Sequence, residues 1–255
     1  MYCGRKVVVV MPAYNAAKTI ERTFAEVCEQ KIVDIVVVVD DCSRDETVEV
    51  ARKLACPGVE VFVHRHDKNL GYGGNQKSCY RIALEKCSGC DGVVVMVHPD
   101  CQYTPKLLPA MVSMISARLH DCVLASRILG GNALNGGMPL WKYVANRGLT
   151  FLMNLFMGAK LSEYHTGYRA FSTELLAKLP LDKNMDDFAF DAQMLAEIIW
   201  TGTTIGEVSC PTVYFEDASS INFRRSCKYG FGCLGVSALF RLCRMRICRS
   251  GKFPV

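Results

Sequence analysis

The 255-residue sequence has no apolar run approaching the ~18 residues that a membrane-spanning helix needs. Its nearest approach, Tyr229 to Phe240, is bracketed by Lys228 and Arg241. It also has no internal repeat and no low-complexity tract. With 50% hydrophobic and 22% charged residues, the composition is that of a globular α/β chain rather than a disordered one. A secretory leader is not expected, because the apolar run Val7 to Val10 is too short for a leader core and is interrupted by Pro12. Neither G-x-G-x-x-G after the first strand nor G-x-x-x-x-G-K-[ST] is present, so the dinucleotide and P-loop fingerprints are not met. Cys87-Ser-Gly-Cys90 is a lone C-x-x-C without a second pair or a His at finger spacing, which argues against structural zinc. Acidic residues vanish from Ala218 onward.

Cysteine is plentiful by contrast, with fourteen in the chain. Cys28, Cys79, Cys122 and Cys243 fall inside apolar or helical patterns, so they read as reduced thiols used as small hydrophobes, with a cytoplasmic setting expected. Charge is also unevenly placed. The segment after Ala218 carries eight basic residues, and the remainder carries 22 basic against 25 acidic, or −3. A near-neutral body gives no reason to expect a nucleic-acid partner. A basic, apolar tail fits contact with an anionic surface.

Val-rich runs at Lys6 to Met11, Asp34 to Val39, Val59 to Val63 and Val93 to Val97 show no polar alternation, as strands buried on both faces require. Between them lie helical patterns at Ala17 to Gln30, Asp45 to Leu54 and Tyr72 to Cys87. Alternation of this kind predicts right-handed βαβ units and a mostly parallel sheet sandwiched by helices. The second half is less regular, with strands expected at Cys122 to Ser126 and Thr204 to Ser209 and helices at Leu140 to Gly158 and Phe188 to Thr201.

Ligands of such sheets bind beyond the carboxyl ends of the strands. Four segments lie there: Pro12-Ala13-Tyr14-Asn15, Asp40-Asp41, the Gly-rich stretch Asn69 to Gly74, and His98-Pro99-Asp100. A single Asp after a strand commonly caps a helix or forms a turn. Acidic groups at two strand ends of one sheet point instead to a ligand carrying hydroxyls and phosphates. Asp41 suits a nucleoside, while Asp100, Gln102 and His98 are spaced to reach one Mg²⁺ or Mn²⁺ that neutralises a diphosphate leaving group. Two other readings remain at this stage: a nucleotidyltransferase, and a non-catalytic nucleotide-sugar binder.

Several motifs in order resemble family 2 glycosyltransferases. Val9 to Asn15 is similar to their "P-x-YN" opening, and Val38 to Thr47 to "VDDGSxDxT". Asn69 to Asn75 resembles "NxGxGxA", and His98 to Pro105 resembles the "DADxQhxP" metal motif. Ser126-Arg127, Asn146-Arg147, Glu163 to Phe171 and Glu207-Val208 resemble segments of the dolichyl- and polyprenyl-phosphate sugar transferases. The resemblance implies a GT-A fold over residues 1–225, with a donor half to about residue 104, an acceptor half to 225, and a basic apolar tail over 226–255. It implies an inverting transfer from a UDP- or GDP-sugar, with Mg²⁺ or Mn²⁺, to a polyprenyl or dolichyl phosphate or to a saccharide.

Carried over residue by residue, Pro12, Tyr14 and Asp41 would bind the nucleoside. Ala13, Asn15, Asp40, Gly71, Gly73, Lys77 and Asp100 complete the expected donor site. Asp100 and Gln102 would hold the metal with His98, while Arg127 and Arg169 would contact phosphates. The sequence departs from the family at His98, where an Asp is usual, at Cys42, where Gly is usual, and at Tyr214 to Ser220, which does not reproduce "RxxGxSK".

A hydroxyl acceptor needs a general base, whereas a lipid phosphate is already anionic near pH 7. Asp187 and Asp191, at i and i+4, are the candidates, with helix capping by Asp186 and Asp187 as the alternative. Asp100, Asp187, Asp191 and Arg169 form the expected catalytic set. Residues 221–249 are expected either to lie on a membrane surface, with Phe, Leu and Tyr inserted, or to pack as a helix on the domain.

Overall fold

A computed structural model describes residues 1–131, 133–211 and 223–253, and of residues 223–225 the backbone alone. The Tyr214 to Ser220 segment and residues 221 and 222 of the tail lie outside the described residues. Seven strands form one sheet: β1 (Lys6–Ala13), β2 (Ile35–Asp40), β3 (Glu60–Arg65), β4 (Gly92–Met96), β5 (Cys122–Ser126), β6 (Arg169–Ser172) and β7 (Ile205–Ser209). Their order is β3-β2-β1-β4-β6-β5-β7. Every pairing is parallel except those of β6, which runs antiparallel to both β4 and β5. This is the GT-A α/β/α sandwich with a mostly parallel sheet.

Because successive side chains leave a strand on opposite faces, the apolar runs feed two cores at once. Val8, Val10, Val37, Val39, Val94 and Met96 face one layer, and Val7, Val9, Val36, Val38, Val93 and Val95 face the other. The first layer holds α3 (Gly71–Lys86), α5 (Leu140–Met157), α6 (Thr173–Leu176), α7 (Phe190–Trp200) and α8 (Phe223–Arg244). The second holds α1 (Ile20–Glu29), α2 (Thr47–Ala51) and α4 (Leu108–Ser116). A register slip of one residue would exchange the two cores, so the Val runs fix the register as well as the strands.

The tail settles its two readings in part. Helix α8 packs against α5 and α7, and its Cys233, Val236 and Phe240 are buried in the first core. Trp200, Phe240 and Phe253 close this corner with ring centroids 5.3 to 5.5 Å apart. Tyr229 and Phe240 therefore face protein. Among the described residues, no helix is long and apolar enough to cross a membrane.

Near this corner Glu197, 2% exposed, accepts a 3.0 Å hydrogen bond from Asn184 Nδ2. Burial raises its carboxyl from 4.5 to about 7, partly opposed by the Asn184 bond and the charges of Lys252 and Lys183. The folded state thus binds a proton that the unfolded chain releases between those values, so stability falls as pH rises through that window. Glu197→Gln is expected to raise the melting temperature at pH 8 and to leave it close to the parent at pH 5, as read by thermal shift across pH.

Candidate active site

The parallel register places the carboxyl ends of β1, β2 and β4 along one edge, and there three loops are stitched together. Asn15, at φ 52°, donates from its N–H to Ser43 Oγ (2.8 Å), and its own Oδ1 accepts from Arg44 N (2.9 Å). Ala16 N donates to Thr47 Oγ1 at 2.7 Å. Pro12 and Ala13 end β1 beneath this stitching, and Tyr14 projects from it, 47% exposed. Asp40 is wholly buried: Oδ2 accepts from Ser43 N (3.0 Å) and Oδ1 has no protein partner.

Asp41, 3% exposed, turns inward. Its Oδ1 accepts from Leu70 N (2.8 Å) and pairs with His66 Nδ1 (2.9 Å), and its Oδ2 accepts from Gly71 N (3.0 Å). Its contacts are with the Gly-rich loop, so it fixes the start of α3. Gly73 then passes against α7's approach, where a Cβ would lie 2.8 Å from Phe190 Cβ, and its N–H donates to Asp186 O (2.8 Å). Lys77 donates to Asp186 Oδ1 at 2.8 Å and to Asn184 O at 2.5 Å, clamping the same segment from the other side. Gly71, Gly73 and Lys77 therefore shape the loop through the segment 184–186.

What this loop delivers is Tyr72. Its hydroxyl donates to Asp191 Oδ2 (2.8 Å) and lies 3.3 Å from His98 Nε2, while its ring stacks on both His98 and Phe188. Burial, followed by the charge of Asp191, raises the Tyr72 phenol well above its usual range, so it stays neutral and donating. A cleft of about 470 Å³ opens here, and Tyr72, His98, Asp100, Gln102, Arg127 and Asp191 all line it. Cys101 at φ 57° turns the loop between Asp100 and Gln102, and Gln102 N donates to Asp100 Oδ1 at 3.1 Å. Gly167 borders His98 so closely that a Cβ would sit 2.5 Å from Nε2.

Arg127 reaches the cleft from the end of β5, held by fully buried Glu163, by Nη2–H to His165 O (3.0 Å), and by the Arg127 N–H to Glu163 Oε2 (3.0 Å). Burial alone would raise the Glu163 carboxyl, but the Arg127 charge and hydrogen bonds outweigh it and hold the group ionised, below its usual value. His165 has its Nδ1 2.7 Å from Tyr229 Oη, and burial pushes its imidazole down to about 4, so it is neutral.

Besides Asp41, Gly71, Gly73 and Lys77, which do not line the cleft, Arg169 and Asp187 stand differently from the sequence reading. Arg169 is 1% exposed and does not line the cleft; its guanidinium donates to the carbonyls of Thr166 (2.7 Å), Asp191 (2.9 Å) and Tyr164 (2.9 Å) and pairs with Asp191 (3.5 Å). This geometry makes it a strut for Asp191 rather than a phosphate contact. Asp187 precedes α7, where its Oδ1 accepts from Ala189 N (3.0 Å) and its Oδ2 faces Lys228 (3.5 Å). It does not share a helix face with Asp191, so the i, i+4 reading does not hold. Tyr72 and Glu163 carry more of the site than their sequence spacing indicated, since each acts through contacts far along the chain.

The model of the glycosyl transferase family 2 matches residues 8–179, and the chain belongs to that family. It is 31% identical over 215 residues to an uncharacterized protein of Methanocaldococcus jannaschii, covering 84% of each. It is 27% identical over 220 residues to a UDP-N-acetylglucosamine–dolichyl-phosphate N-acetylglucosaminyltransferase of Methanococcus voltae, covering 82% of this chain and 86% of that one. In structure it is similar to glucosyl-3-phosphoglycerate synthase of Mycobacterium tuberculosis, solved with Mn²⁺, UDP and phosphoglyceric acid. There the TM-score is 0.68 at 19% identity, over 97% of this chain and 81% of that one. The protein is a glycosyltransferase, which sets aside both the nucleotidyltransferase and the non-catalytic binder.

Removing the cation beside Glu163 tests the role of the ion pair. Arg127→Met leaves a fully buried carboxylate uncompensated and is expected to cost about 3 kcal/mol at pH 7, lowering the melting temperature by ~8 °C. Because Glu163 is held below its usual value, its stabilising contribution is present at neutral pH and lost in acid. The difference between variant and parent should therefore narrow below about pH 4.

Proposed function

We propose that this glycosyltransferase moves a sugar from a UDP- or GDP-sugar onto a lipid phosphate of the polyprenyl or dolichyl type. The observation that carries this reading is the make-up of the cleft wall. Arg127 and Lys142 line it together, and burial followed by the Arg127 charge lowers the Lys142 pKa. Glu163 balances the Arg127 charge, which leaves Lys142 as the cation on this wall that an anion would stabilise. Beside them Met138, Trp141, Leu149, Phe231 and Leu234 make the same cleft apolar. A phosphate on a hydrocarbon chain matches both halves.

Helix α5 also carries a second, exposed apolar face. Leu140, Val144, Phe151 and Leu155 recur at helical spacing and are 61 to 66% exposed, with Phe231 of α8 at 76%. Exposed large side chains grouped in this way suit contact with a membrane surface. We place peripheral membrane contact on the α5 face and the start of α8, which would bring a lipid-held acceptor to the cleft. The dolichyl phosphate named for the Methanococcus voltae relative supports this choice of acceptor.

The nucleoside end of the donor fits the β1 and β2 strand ends, where Pro12, Tyr14 and the buried Asp40 and Asp41 stand. For a metal, Asp100, Gln102 and His98 on the cleft offer a carboxylate, an amide and an imidazole; among the described residues no cluster of three His, Cys, Asp or Glu forms. This set fits an ion that completes its shell with substrate diphosphate and water, as Mg²⁺ and Mn²⁺ do. Such an ion supplies neutralisation of the charge developing on the diphosphate.

Asp191 is engaged by Tyr72 at Oδ2 and by the Arg169 charge 3.5 Å from Oδ1, which positions it, while Oδ1 has no hydrogen-bond partner among the described residues. An acceptor phosphate, ionised before it arrives, needs no proton removed, so the direct displacement that inverts the anomeric carbon is compatible with an engaged Asp191.

Extraction of labelled product into organic solvent tests the acceptor. Incubation with UDP- and GDP-sugars and dolichyl or undecaprenyl phosphate should yield a lipid-extractable sugar with one nucleotide; transfer only to water-soluble acceptors would overturn the reading. Lys142→Ala should raise KM for the lipid phosphate by ~10-fold with kcat little changed, as one charge-assisted contact implies. Asp100→Asn should lower kcat by ~100-fold or more in the same assay. Val144→Asp with Phe151→Asp should reduce co-sedimentation with anionic vesicles while leaving the fold intact by circular dichroism.

A further inference from the structure

All fourteen cysteines are free, and the proposed sugar transfer needs the thiol chemistry of none of them, although Cys227 lines the cleft. Cys243 and Cys248 stand apart because their Sγ atoms lie 3.3 Å apart. The chain is driven into this arrangement by the way α8 ends. Arg246 adopts φ 60°, its N–H donates to Cys243 O (2.9 Å), and Ile247 N donates to Leu242 O (3.0 Å). That pair of bonds with a left-handed residue is the Schellman stop, and it folds the next residue back onto the last helical turn. The returning residue is Cys248. Cys243 is buried, at 5% exposure, while Cys248 is half-buried and reachable from solvent. From Ala218 to the end the sequence has no Asp or Glu, so none from that stretch faces the pair, whereas Arg241, Arg244, Arg246 and Arg249 flank it.

We propose that Cys243 and Cys248 are a redox-modification site, at which a small peroxide converts the two thiols into a disulfide across the C-terminal turn of α8. The more accessible Cys248 sulfur attacks one oxygen of hydrogen peroxide, the O–O bond breaks, and water leaves a sulfenic acid. The Cys243 sulfur then attacks the Cys248 sulfur, loses its proton and expels the hydroxyl as a second water. Two thiols lose two electrons and one peroxide becomes two waters. Burial and the hydrogen bond to Cys248 push the Cys243 thiol up to about 11, so it is a poor first nucleophile, and its 3.3 Å approach to Cys248 is what favours it in the second step.

The product is a small covalent loop that holds the end of α8 and the residues leading to Phe253, which packs on Trp200 and Phe240. Other cysteines provide the internal comparison. Cys90 Sγ points to Cys87 O at 3.4 Å, and Cys28, beside Cys56, is pushed up to about 12 by burial and by that neighbour.

The test is peptide mapping of the full chain after graded hydrogen peroxide, alkylation without reduction, and trypsin. Cleavage after Arg241, Arg244, Arg246 and Arg249 releases Leu242–Arg244 and Ile247–Arg249, which the disulfide joins into one species two mass units lighter than the separate thiols. That linked species is expected at lower peroxide than any link involving Cys87, Cys90, Cys28 or Cys56, and dithiothreitol should dissolve it. A melting-temperature rise of ~3 °C should accompany it and be absent in Cys248→Ser. Recovery of both peptides separately alkylated or sulfinylated, or linkage of either cysteine to a different partner first, overturns the proposal.

Discussion

One buried carboxylate organises the reacting end of the molecule. Asp41 meets His66 and the backbone N–H groups of Leu70 and Gly71, so a charge with almost no exposure is fully met by donors from a loop about thirty residues downstream. That bond set fixes where α3 begins. Because α3 begins there, Tyr72 stands where its hydroxyl touches both His98 and Asp191, and Asp191 is held in turn by Arg169. A chain of contacts thus runs from β2 through α3 to β4 and α7, joining segments that share no local sequence relation.

The cleft is built on the same economy of charge. Its buried acids each have a named cation: Glu163 has Arg127 and Asp191 has Arg169. Lys142 is the cation on the wall without an ion pair among the described residues, and it is the one whose charge burial and Arg127 disfavour. An arriving phosphate would relieve that repulsion. Helix α5 thus serves two surfaces, with Trp141, Lys142, Ala145, Asn146 and Leu149 on the cleft and Leu140, Val144, Phe151 and Leu155 on the outside.

Much of the architecture was legible because it depends on local periodicity. The four Val runs located β1 to β4, and two further stretches located β5 and β7, all to within two residues of their ends, and the helices between them followed. Strand β6 was not expected as a strand: four residues inside a polar motif have no periodicity of their own, and only pairing with β4 and β5 on either side makes Arg169 to Ser172 extended. Helix α4 escaped notice for a related reason, since Pro109 and a short apolar stretch resemble a loop until the sheet offers a face to cover. At the site, Asp100, Gln102 and Arg127 were found by motif and do meet at one cleft. Arg169 and Asp187 were named by the same route, yet the side chain of one is buried among carbonyls and the other stands outside its helix.

The sequence alone determined the family, the parallel α/β sheet and the acidic strand ends, because buried strands and strand-end loops are written in consecutive residues. Only the tertiary structure decided which groups face the cleft and which serve as struts. Whether a carboxylate or guanidinium reaches a ligand depends on which donors and acceptors lie around it, and those come from residues tens to more than a hundred positions away. The tail shows the same division: its basic, apolar composition was plain, but it took the packing of α8 on α5 and α7 to show which of its aromatics face protein and which face out.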